Sequence, residues 1–253
     1  LVVSGNTLTF LGDAGVLGEA ASNATLRNNA VGGATTTGVS VTASDGAMAL
    51  DCRDNIIQSS QQAHGLFVRG AVSGVVQDNE ISQSGQTGIL LHESSDLQVE
   101  RNTVSTSGNG GILIGVGDGE DAPIGAHFIV ADNIVVGSRT AGGINIRSTG
   151  DVEITDNSIT DSDGSGLSLV APTGGVRATI TGNTMDTQVA HGVFVSGALS
   201  GSITHNTVRS SGLSGMFVQR SSQLTLTDNA ISTRGCLLYT SDAADDPSCV
   251  DLG

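Results

Sequence analysis

The sequence predicts an all-β fold, a right-handed parallel β-helix of about ten coils of 23–26 residues, and three recurring features predict it. The first is an asparagine at near-constant spacing: Asn6, Asn29, Asn55, Asn79, Asn102, Asn133, Asn157, Asn183, Asn206 and Asn229. The intervals are 23, 26, 24, 23, 31, 24, 26, 23 and 23 residues, and a period in that range marks a repeat architecture. The second is a pair of apolar columns, three residues before each asparagine (Val3, Leu26, Cys52, Val76, Val99 onward) and two after it (Leu8, Val31, Ile57, Ile81, Val104 onward). The third is a glycine nine or ten residues after the asparagine in nine of the ten units, followed by apolar residues at its +1 and +3 positions, as in Leu66 and Val68 or Val193 and Val195.

Each element of a coil follows from these columns. Period-two alternation over short runs bounded by Gly, Asn, Asp and Ser is the signature of a strand, and no segment sustains a 3.6-residue period. A unit is therefore two or three short strands with their turns. One unit cannot bury its apolar face alone, whereas units stacked in register bury a continuous core. At about 4.8 Å per coil, ten coils make a rod on the order of 45 Å long. Asparagine suits the turn, since it tolerates left-handed backbone angles and its amides can hydrogen-bond from coil to coil. Asn29 through Asn206 are thus the expected structural ladder.

The pattern Ile/Val, x, Asp/Gly, Asn, x, Ile with a later Gly, x, Val resembles the right-handed β-helix repeats of the pectin-lyase-like superfamily over residues 1 to about 234. That resemblance implies the fold. For activity it implies a range, since the superfamily includes polysaccharide lyases, hydrolases, epimerases, tailspikes and adhesins.

The template is already in register at Val3 and Asn6 and stops at Gly235, so residues 1–235 read as one β-helix domain, uncapped at both ends and expected to be an internal segment. Residues 236–245 resemble the translated reading frame of a sequencing-library adaptor, and residues 236–253 are expected to be a non-native tail. Without it the net charge moves from −15 to −11, with 21 acidic residues against 10 arginines and no lysine. So acidic a surface speaks against nucleic acid and anionic membranes as partners, and no apolar run is long enough to span a bilayer. Cys52 falls in an inward column, as a small hydrophobe.

Insertions in a solenoid emerge as loops. The distance from glycine to the next asparagine is usually 14 residues and grows to 22 after Gly111. That insertion carries Asp118, Glu120 and Asp121, oxygen ligands suited to calcium, the one cofactor the sequence suggests and one it does not require. A second grouping arises by stacking: Arg139, Asp161, Asp163 and Asp186 share one turn face in successive coils, with His191 beside them. Carboxylates one coil apart stand roughly 5 to 9 Å from each other, the range used in glycoside hydrolysis. These five are the candidate catalytic residues. The polygalacturonase signatures Asn-Thr-Asp, Gly-His-Gly and Arg-Ile-Lys are absent, as is the Arg-x-Pro-x-x-Arg pattern of pectate lyases. His64 and His191 repeat the context Ala-His-Gly-aliphatic-Phe-Val, but five coils, about 24 Å, separate them.

Between the inward residues after each glycine lies an outward column in which Phe67, Leu90 and Leu113 form one apolar strip and Phe194 with Phe217 another. Such strips mark a partner surface, for a homo-oligomer or for other segments of the same chain. The domain has neither Trp nor Tyr, which lowers the expectation of a depolymerase. The expected function is a segment of a secreted or cell-surface bacterial protein, a carbohydrate-facing or adhesive rod that meets a polysaccharide or cell-surface glycan. The alternative is a polysaccharide lyase or glycoside hydrolase of the pectin-lyase-like superfamily.

Overall fold

The protein is described here by a computed structural model covering residues 1–44, 47–115, 125–172, 175–233, 236–241 and 248–250. Each coil contributes three strands, and equal positions of successive coils pair in parallel. Sheet A has ten strands from Val2–Ser4 to Leu224–Thr227, and sheet B ten from Thr7–Thr9 to Ala230–Ser232. Sheet C has eleven, starting at Val16–Ala20. Its last parallel member, Cys236–Ser241, pairs with Ser214–Gln219, and Ser248–Val250 adds an antiparallel edge. No helix occurs among the described residues.

The apolar columns of the sequence are the sheet registers. In sheet A, Leu26 pairs with Cys52, Cys52 with Val76 and Val76 with Val99. In sheet B, Ile57 pairs with Ile81 and Ile81 with Val104. In sheet C, Leu66 pairs with Ile89 and Ile89 with Ile112. All these residues are buried in one core that runs the length of the solenoid. Cys52 belongs to it, free and 1% exposed, and burial pushes its thiol up to about 12, so it is inert packing rather than chemistry.

The asparagine column does one of the two things expected of it. The left-handed residue is the one before each asparagine: Asn28, Asp54, Asp78, Arg101, Asp132, Asp156, His205 and Asp228 all have φ between 53° and 57°. The asparagine itself turns inward. Asn102 shows the unit: its Oδ1 accepts from the Asn79 N–H at 3.1 Å and from Asn79 Nδ2 at 2.9 Å. Its Nδ2 donates to Val76 O at 2.8 Å and to Asn133 Oδ1 at 2.9 Å. Every amide group at this buried corner is paired, which is why the position takes asparagine and not another small polar residue.

A second corner turns the chain from sheet B toward sheet C. Four residues after each asparagine the backbone is again left-handed, at Ser59, Gln83, Thr106, Asp161, Thr187 and Ser210. The next residue points inward, forming a column of buried serines, Ser60, Ser84, Ser107, Ser138 and Ser162, whose hydroxyls have no hydrogen-bond partner. Opposite them stands the glycine column. A Cβ on Gly65 would lie 2.3 Å from Ile81 Cγ2 and 2.8 Å from both the Gly88 carbonyl and Ser84 Oγ, so only glycine fits.

Candidate functional site

The outward column of sheet C carries the most distinctive surface. Its register runs Phe67, Leu90, Leu113, Asn145, Ser168, Phe194 and Phe217 in consecutive coils. The residues are outward and contiguous, as the alternation requires, but they are less open than the sequence suggests. Leu90 and Leu113 are only 9% exposed, and Phe67, Phe194 and Phe217 are half-buried. The spacing of a parallel sheet accounts for much of this, because side chains one coil apart cover each other's faces. Phe194 and Phe217 stack with centroids 5.5 Å apart and planes 9° from parallel.

His191 completes an aromatic cluster at this end, with its ring 4.9 Å from Phe217 and 5.8 Å from Phe194. Its Nδ1 accepts the Ser214 N–H of the next coil at 3.3 Å. Burial lowers the pKa of the ring, so it stands neutral at pH 7. The repeated Ala-His-Gly-aliphatic-Phe-Val segment builds the same unit at His64. That ring stacks 5.8 Å from Phe67, accepts the Thr87 N–H at 3.4 Å and is likewise lowered by burial.

Where the column drops to Asn145 and Ser168, between Leu113 and Phe194, an open groove of about 390 Å³ appears, with Thr140, Asn145, Ser165, Ser168, His191 and Phe194 in its lining. Its floor is sheet C and its side is the turn that leaves sheet B. The sequence signal for it was the interruption of the apolar column, which reads as a gap between two strips and not as a site.

The predicted acidic grouping is spread over that turn. Asp186 is half-buried in sheet B beside Thr160 and Arg209, and Thr187 Oγ1 donates to it at 3.3 Å. Asp161 occupies the left-handed corner and is exposed. Arg139 and Asp163 are exposed at the groove rim, and the Asp163 N–H donates to Ser138 O, which sets Arg139 and Asp163 in adjacent coils. Among the described residues no hydrogen bond or ion pair joins any two of Arg139, Asp161, Asp163, Asp186 and His191, and the imidazole is engaged with the phenylalanines. Asp118, Glu120 and Asp121, the expected calcium ligands, lie outside the described residues.

Other charges form surface ladders. Arg69 binds Glu93 at 2.7 Å and holds its carboxyl below the usual range, and Arg101 does the same to Asp78 at 2.9 Å. These pairs are exposed and contribute little to stability.

Two family models match the chain. One, described as right handed beta helix region, covers residues 1–142. The other, described as periplasmic copper-binding protein (NosD), covers residues 118–246. No curated protein matches the sequence.

Proposed function

From a chain that belongs to the right handed beta helix family, and through residues 118–246 to the NosD family, we propose a rod outside the cytoplasm that binds carbohydrate along sheet C. Three parallel sheets around one apolar core make the rod, and no helix among the described residues is long and apolar enough to cross a membrane. The observation that carries the reading is the groove at Asn145 and Ser168, with Phe194 in its lining. Saccharide sites combine an apolar ring face with a few fixed hydroxyl and amide groups, and its volume is in the range of small-ligand clefts. The partner on this reading is a polysaccharide or cell-surface glycan, and the location the periplasm, the medium or the bacterial surface.

The copper named in the NosD description finds no fitting site among the described residues. Copper takes imidazole, thiolate and thioether ligands. Among the described residues no three His, Cys, Asp or Glu side chains gather, and Cys52, Met48, Met185 and Met216 are sealed in the core.

A glycan-cleaving activity is the second reading, favoured by Arg139 and Asp163 standing in adjacent coils at the groove rim. Titrating the whole chain with a panel of oligosaccharides, while assaying release of reducing or unsaturated ends, tests both. Binding without release supports the rod. Release that disappears in Asp163→Asn supports the enzyme, and no binding by any saccharide overturns both.

A further inference from the structure

The groove's chemistry selects among glycans. Phe217 covers one face of Phe194, and the column neighbour on the other side is Ser168, whose side chain is a single hydroxymethyl group. On that side no bulky column neighbour covers the Phe194 ring, which lines the groove together with His191, Ser168 and Asn145. An aromatic face is electron-rich and attracts the partly positive C–H bonds of a sugar ring laid against it. The Asn145 amide supplies both donors and an acceptor, and Thr140, Ser165 and Ser168 supply hydroxyls that either give or accept.

No charged side chain lines this groove. Arg139 precedes the lining residue Thr140 in sequence but is exposed at the rim, outside the lining. The chain carries a net charge of −15. A carboxylate brought against this lining would lose hydration with no cation in the lining to receive it, inside an unfavourable field. An uncharged ring loses little, because its hydroxyls find partners.

We propose that the groove bounded by Phe194, Ser168 and Asn145 is a subsite for an uncharged hexopyranosyl unit and rejects uronate units. This rests on the carbohydrate-binding reading above and narrows it to neutral glycans. The Phe67 unit, built by the same sequence motif, is the internal control. Its column neighbours are Ser40 in the preceding coil and Leu90 in the next, and beyond Ser40 stands Leu17 where Asn145 stands beyond Ser168, so the same His–Phe pair there lacks the amide.

The test is calorimetric titration of the whole chain with neutral gluco-, manno- and galacto-oligosaccharides and with oligogalacturonate of equal length. At least one neutral ligand is expected to bind on the order of tenfold tighter than the uronate, with no dependence on added salt. Phe194→Leu keeps apolar volume without the ring face and is expected to lose that binding on the order of tenfold, while Phe67→Leu leaves it unchanged. Thermal melts of both variants establish that they are folded. Uronate binding as tight as the neutral ligand, or neutral binding that survives in a folded Phe194→Leu, overturns the proposal and leaves the broader carbohydrate reading standing. Absence of binding by any of the oligosaccharides removes both.

Discussion

Asn102 shows how one residue type comes to define a fold. Four hydrogen bonds converge on an amide fully shielded from water, and three of them are made with neighbouring asparagines. Asn102→Ala leaves the Asn79 N–H buried without a partner and removes the amide's bond to the Val76 carbonyl. The expected cost is about 3 kcal/mol in urea unfolding. The serine column behaves oppositely, because the Ser84 hydroxyl is buried without a partner. Ser84→Ala is expected to fall within about 0.5 kcal/mol of the parent or to be more stable, since the alanine carries no polar group to desolvate. The two histidines set the pH response. Burial holds both below the ordinary 6.5, so the unfolded chain takes up protons at higher pH than the folded one. Their contribution is fully present above about pH 6.5 and is lost as pH falls through the lower folded-state values. A fall in melting temperature between about pH 7.5 and pH 5, smaller in the His64→Gln, His191→Gln double variant, is the expected result.

At the scale of strands and corners, the sequence showed what is periodic and concealed what is irregular. The columns through Val76, Ile81 and Ile89 were legible because stacking forces each position to repeat the same environment. The left-handed residues were not. Arg101 and Thr106 hold φ of 53° and 55°, although neither residue type signals a turn, because the corner geometry is imposed by the neighbouring coils. The glycine column carries the sharpest constraint. Gly65→Ala is expected to destabilise the chain by about 3 kcal/mol, since its Cβ would meet Ile81 and a backbone oxygen with no room to yield. The candidate site was half-legible. The outward alternation placed Phe194 and Phe217 correctly on one face, but their mutual cover and the groove beside them depend on side-chain volume along the axis, which no single coil encodes. The acidic grouping built from equal offsets falls at and beside one corner in successive coils, and among the described residues no hydrogen bond or ion pair joins its members.

As a whole the molecule is a uniform core with one interrupted face. Because each coil contacts only its neighbours, its stability is distributed along the axis, and Cys52 reports on it from inside sheet A. Peptide mapping after treatment with a thiol reagent is expected to find Cys52 unmodified in native buffer and modified once urea opens its coil. Function, on this account, lies where the outward column of sheet C gives way to Asn145 and Ser168. Hydrogen-exchange mass spectrometry with a saturating neutral oligosaccharide tests that most directly. The account predicts new protection in the peptides spanning residues 140–145, 164–168 and 190–194, with the remaining coils unchanged. Protection centred on another face, with these three segments unaffected, would contradict it.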